Sequence, residues 1–187
     1  DGLFMASRDG QTFHRWNEAF LRPGLRTEGS WTYGDMYQAW GLLETESDIA
    51  GAPPEFSLYV VEGYWRGNAN LIRRYTLRMD GFVSVNAPFA GGEMVTKPFT
   101  FSGSRLTLNM STSAAGSIRV EMQGANGKPL EGFALDDCVE VIGDELARTV
   151  SWKGGPDVSR FAVQPVRLRF VLSDADLYAI QFAGHGG

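Results

Sequence analysis

Arg105-Leu106-Thr107-Leu108-Asn109-Met110 sets apolar side chains on even positions and mostly polar ones on odd positions. Further on, Ile118, Val120 and Met122 alternate in the same way with Arg119, Glu121 and Gln123. Successive side chains of a β-strand point to opposite faces, so each run offers one apolar face to a core. Towards the C-terminus, Val166, Leu168, Phe170 and Leu172 alternate with Arg167 and Arg169, and Tyr178, Ile180 and Phe182 form a last strand. Towards the N-terminus, Tyr75, Leu77 and Met79 alternate with Arg74, Thr76 and Arg78. Turn signals separate the runs at Asp80-Gly81, Gly91-Gly92, Ser102-Gly103, Asn126-Gly127 and Gly154-Gly155-Pro156. No stretch carries a long helical period, and Asp136 to Leu146 holds at most a short helical turn. The pattern predicts an all-β protein whose residues 67–187 form an antiparallel β-sandwich, a jelly roll of two packed sheets.

The first sixty-odd residues read differently. Trp16, Trp31, Trp40 and Trp65 all lie here, and only Trp152 lies beyond them. Apolar runs are shorter, and Ala52-Pro53-Pro54 interrupts the segment before the strongly β-prone Phe56-Ser57-Leu58-Tyr59-Val60-Val61. Residues 1–66 are therefore expected to form a separate N-terminal segment.

Composition narrows the function classes. Hydrophobic residues make up 43% of the 187, which belongs to a folded chain. The net charge of −5, without basic runs, argues against a nucleic-acid partner. No apolar run is long enough for a membrane helix. Asp1-Gly2-Leu3-Phe4 has no basic leader, so no signal peptide is expected here, and an opening in mid-motif suits a processed or truncated product. Cys138 stands alone, which excludes an internal disulfide, and its apolar neighbours predict a buried thiol. A catalytic cysteine would need a histidine, and the chain has only His14 and His185.

Two stretches carry a family resemblance. Leu3-Phe4-Met5-Ala6-Ser7-Arg8-Asp9-Gly10-Gln11-Thr12-Phe13, followed by Arg15-Trp16 and Ala19-Phe20-Leu21-Arg22-Pro23-Gly24, resembles a strand pair of the five-bladed β-propeller glycosidases, the clan of invertases, levanases and arabinanases. In its Ser-x-Asp-Gly turn, Asp9 can bond back to turn amides and Gly10 supplies a positive φ. The second stretch runs from Arg73-Arg74-Tyr75-Thr76-Leu77-Arg78 through Gly132-Phe133-Ala134-Leu135-Asp136-Asp137-Cys138 and Trp152-Lys153-Gly154-Gly155 to Asp176-Leu177-Tyr178. It resembles the concanavalin A-like β-sandwich that follows the propeller in bacterial proteins similar to family 32 glycosidases. The resemblance implies a propeller-blade-like segment, an accessory sandwich, a parent that is a glycosidase-like hydrolase, the rest of the propeller as partner, and an extracellular or periplasmic location.

The family's catalytic acids come from earlier blades, so its motifs find no counterpart here and no catalytic residue is assigned. Glycoside hydrolysis needs two carboxylates flanking the scissile bond. Glu62, on an aromatic strand beside Trp65, is the most suggestive acid, either touching a sugar or pairing structurally with Arg66 or Arg73. Trp152 is the one aromatic near the sandwich strands that could carry a sugar ring. Asp136, Asp137, Asp144, Glu145 and Asp157 offer oxygen ligands for a structural calcium, but match no defined calcium loop, so neither metal nor cofactor is assigned. Arg74, Arg78, Arg105, Arg119, Arg167 and Arg169 all leave the apolar phase of their strands. A solvated face, a dock for the propeller, a self-association surface and a glycan cleft each fit them. Docking through Arg78, Arg105, Arg119, Arg167 and Arg169 is expected, with at least one carboxylate of residues 40–66 as partner.

Overall fold

The computed structural model describes residues 1–26, 28, 30–64 and 70–184. The chain is all-β with antiparallel sheets, as the alternation predicts. It divides into two compact units, Asp1–Phe82 and Val83–Gly187.

In the first unit, β1 (Gly2–Ser7) and β2 (Phe13–Leu21) form a hairpin. Its turn is built as the residues suggest. The Asp9 carboxylate accepts from the Gln11 and Thr12 amides at 2.9 and 2.7 Å and from the Ser7 hydroxyl, and Gly10 has φ +72°. A separate meander follows: β3 (Tyr37–Gln38), β4 (Leu43–Thr45), β5 (Glu55–Glu62) and β6 (Leu71–Arg78). β3 and β4 line one edge of β5, with Ala39 N donating to Tyr59 O between them, and β6 runs along the other edge. The pair is thus one edge strand interrupted around Gly41, where φ is +92°. Phe82 closes the unit, its ring 5.1 Å from Phe4, 5.9 Å from Phe20 and 6.0 Å from Phe56 between centroids. This places the strand Leu71–Arg78, which the alternation grouped with the sandwich, in the first unit. Its hydrogen-bonding partner is β5, and the division falls after residue 82 rather than after 66.

The second unit is built on two long strands, β9 (Arg105–Gly124) and β11 (Val166–Ala183), paired along their whole length. β7 (Val85–Ala87) and β8 (Gly92–Val95) pair with successive parts of β11, and β10 (Asp144–Thr149) pairs with the first half of β9. The register breaks where Ser117 faces Ser173 and Thr112 faces Ala175, which leaves residues 113–116 bulged opposite Asp174. Bulges bend a strand pair. Here the even positions of both halves, Leu106, Leu108, Met110 and Ile118, Val120, Met122, enter one core with Leu168, Phe170, Leu172 and Trp152. Full burial of each such side chain contributes roughly 1.5–3 kcal/mol. A short 3₁₀ turn at Leu135–Asp137 is the helical piece expected near residue 136.

Odd positions of β9 are not uniformly solvated. Asn109, Glu121 and Gln123 are buried. The Glu121 carboxylate accepts from Gln123 Nε2 at 2.7 Å and from the Leu135 amide at 3.1 Å, so the segment around Leu135 covers what alternation alone would leave wet. Cys138 is half-buried rather than buried. Its Sγ accepts from Val120 N at 3.2 Å, and burial pushes the thiol pKa up.

Candidate functional site

Glu62 closes the apolar face of the meander. On β5, Leu58, Val60 and Glu62 share one face opposite Tyr75, Arg73 and Leu71 of β6. Leu58 and Val60 are buried, and Val60 packs with Leu21 and Met36, with Phe20 and Tyr75 partly covering them. Glu62 stands where this apolar strip meets water. Arg73 Nε donates to both carboxylate oxygens, at 2.9 and 2.8 Å, and the Tyr75 hydroxyl donates to Oε1. Burial works to raise the Glu62 pKa. The hydrogen bonds from Tyr75 and Arg73 and the Arg73 charge outweigh burial and hold the carboxyl below its usual range. Tyr75 is pushed up to about 12, by burial first and then by its bond to Glu62.

A cleft of about 210 Å³ opens beside this group, lined in part by Ser30, Asp35, Met36, Glu62 and Arg73. Its loop wall is tightly shaped. Trp31, Gly34 and Met36 all have positive φ, and a β-carbon on Gly34 would stand 2.5 Å from the Tyr64 ring. Asp35 Oδ1 accepts from the Tyr64 amide at 2.9 Å. A catalytic acid needs a proton at working pH, and Glu62 is held in the opposite state, ionised, with both oxygens engaged. The geometry is that of a brace between the ends of β5 and β6. The pairing with Arg73 is one of the two structural partners expected; Arg66 and Trp65 lie outside the described residues.

The acids of residues 40–66 do meet an arginine, but within their own unit. Arg74 Nη1 lies 2.8 Å from Asp48 and Nη2 2.8 Å from Glu55, while Nε donates to the buried Ser57 hydroxyl at 2.7 Å. Arg74 and Arg78 belong to β6, so the six arginines do not share one sheet face. In the second unit, Arg169 pairs with Glu93 at 2.8 Å and Glu121 at 3.7 Å, and Arg119 with Glu140 at 3.4 Å. Arg167 Nε donates to the Thr96 carbonyl at 3.1 Å, and Arg105 is exposed. Arg119 and Arg169 thus find carboxylates on neighbouring segments rather than on their own strands.

Trp152 is a core residue rather than a sugar platform. It is 1% exposed, lies 4.8 Å from Phe133 between ring centroids, and donates its indole N–H to Val120 O at 2.9 Å. The acids considered for calcium are dispersed. Asp137 pairs with Lys153, Glu145 with Arg148, and Asp157 accepts from the Ser159 amide. Among the described residues no three potential ligands gather as a metal requires.

One feature escapes sequence reading. Arg160 lies over the rings of Phe133 and Phe161, at 4.9 and 4.7 Å from their centroids, beside an open cleft. Strand periodicity is blind to it because Arg160 sits in a 3₁₀ turn between strands. Compared with protein-family models, characterised proteins and solved structures, the chain finds no match.

Proposed function

We propose that the chain is the non-catalytic C-terminal portion of a glycoside hydrolase-like protein. In this reading a jelly-roll, concanavalin A-like sandwich follows the last part of a five-bladed propeller, braces it and shapes glycan access to it. The uneven distribution of apolar surface carries the reading. Among the described residues, the first unit buries four hydrophobic side chains and exposes fifteen large ones, with Trp40 at 104% and Tyr33 at 81% relative exposure. The second unit buries nineteen and exposes eight. A unit of that size with so small a core gains little from burial on its own, and exposed apolar patches of this kind mark surfaces that another protein surface covers. The Ser7-Arg8-Asp9-Gly10 turn and its flanking strands resemble a blade strand pair, and on that resemblance the remaining blades of the parent are the cover this reading calls for.

The reading frame ahead of Asp1 tests this. It is expected to encode further blade-like repeats bearing the paired acids of hydrolysis; a start codon directly before Asp1 overturns the proposal. A stand-alone carbohydrate-binding module is the second reading, favoured by the open cleft beside Arg160. Glycan binding by a chain with no blades upstream selects it.

A further inference from the structure

A cleft of about 450 Å³, in the range of small-molecule sites, lies on the β1–β2 hairpin and is lined in part by Ala6, Arg8, Asp9, Phe13, His14 and Trp16. Its aromatic wall is set before any ligand arrives. Trp16 packs against Phe4 at 5.2 Å between ring centroids, Phe4 stacks on Phe82 at 5.1 Å, and His14 meets Trp16 edge to face at 4.4 Å. Ala6, the cross-strand partner of His14, brings only a methyl group to the space beside the imidazole. Rings held in advance lower the ordering cost of binding.

Charge decides the class of ligand. Among the described residues Asp9 is the one carboxylate lining the cleft, and its acceptor sites are spent inside the turn. It takes the Thr12 amide at 2.7 Å, the Gln11 amide at 2.9 Å and the Ser7 hydroxyl at 2.9 Å, and the Thr12 hydroxyl adds a fourth donor. A carboxylate has about four lone-pair sites, so these donors occupy them, and they hold the Asp9 carboxyl far below its usual range. The Arg8 guanidinium, by contrast, has neither hydrogen bond nor ion pair among the described residues. Its planar fork of N–H donors matches a carboxylate through two parallel bonds. A neutral ring leaves that fork unmet, and a cation is repelled by it. A carboxylate carried on a ring meets both parts of the cleft.

We propose that this cleft binds a ring-borne carboxylate, its oxygens on the Arg8 guanidinium and its ring against Phe13, His14 and Trp16. Sugar acids and aromatic acids share that chemistry. The site does not rest on the accessory-domain reading, which the frame ahead of Asp1 tests separately. The full chain, labelled with ¹⁵N, is titrated with glucuronate and benzoate. Glucose and benzyl alcohol serve as comparators without the charge, and acetate as one without the ring. One acid or both is expected to shift the amides of Ala6, Arg8 and His14 and the Trp16 indole N–H, with its neutral counterpart and acetate shifting them less. The acid that shifts them more names the source. Arg8→Gln is expected to weaken binding of that acid about tenfold, through loss of the charge-assisted pair of hydrogen bonds. Arg15→Gln removes the same charge from the opposite face of β2, where Arg15 Nε is bonded to Asn17, and is expected to leave binding unchanged. A near-ultraviolet circular dichroism spectrum like the parent's reports intact aromatic packing in both variants. Silence at these resonances with both acids overturns the assignment, as do shifts from a neutral ring or from acetate that equal the acid's. Unchanged binding by Arg8→Gln, or an equal loss in Arg15→Gln, overturns it as well.

Discussion

Gly116 lies so close to the backbone of Asp174 that an added β-carbon would stand 2.3 Å from the Asp174 carbonyl oxygen. Asp174 itself has φ +43°, and the two residues mark the bend of the β9–β11 pair. The approach is backbone to side-chain position, so no rotamer change can relieve it. Gly116→Ala is expected to lower the stability of the second unit by about 2–3 kcal/mol. Gly154→Ala, with open space at its β-carbon, is the control and is expected to change little. Urea denaturation followed by near-ultraviolet circular dichroism reads both, and equal midpoints would show that the bend tolerates a methyl group.

Trp152 fills the core under Phe133 and satisfies Val120 O. Trp152→Phe removes volume from a close-packed site and leaves that carbonyl without its indole partner. A loss of about 2–4 kcal/mol is expected from the cavity and the unpaired acceptor together. Thermal melting of the variant measures it. A stability within experimental error of the parent's would place Trp152 outside the core.

Glu62 and Tyr75 give the first unit opposite pH limbs. A carboxyl whose folded pKa is depressed contributes stability that is present above its unfolded value, near 4.5, and is lost as pH falls through the folded one. Tyr75, raised from 10.0 to about 12, contributes stability that is full below pH 10.0 and is lost as pH rises towards about 12. Glu62→Gln is therefore expected to flatten the acid limb and to bring the Tyr75 titration back towards 10.0. Ultraviolet titration of the phenol checks this; an unchanged Tyr75 curve in the variant would mean the hydroxyl does not depend on Glu62. Glycoside turnover should be absent from the parent chain and from the variant alike.

Legibility in the sequence followed how local the physics is. Alternation placed Leu106 to Met110, Ile118 to Met122 and Val166 to Leu172 on strands with their even residues inward, because side-chain direction follows from backbone pleat alone. It could not tell which strand Leu71–Arg78 would join, since alternation gives the face a side chain takes and not the neighbour its strand pairs with. It placed Glu121 off the apolar phase of its strand and gave no sign of its cover, the Leu135 amide, which comes from a loop. The Glu62–Arg73 pair was among the readings of that acid, being cross-strand and close in sequence. Arg160 between two phenylalanine rings was invisible, for one of those rings lies in a different loop.

The division after Phe82 changes where the chain should be cut. The second unit holds nineteen of the buried hydrophobic side chains among the described residues, and its two long strands pair with each other along their whole length. Residues 83–187 are expected to fold alone with one cooperative melt. A chain cut at 67 keeps β6 but removes β5, its hydrogen-bonding partner, and so exposes an orphaned strand with Leu71, Ile72 and Leu77. That longer fragment is expected to melt at a similar temperature but to self-associate more, through the unpaired strand. Residues 1–82 alone, with four buried hydrophobics among the described residues, are expected to show weak amide protection throughout. Hydrogen exchange and sedimentation on the three fragments decide the matter. Strong protection across residues 1–82 in isolation would show a first unit that stabilises itself, and would remove the reason for requiring further blades to cover it.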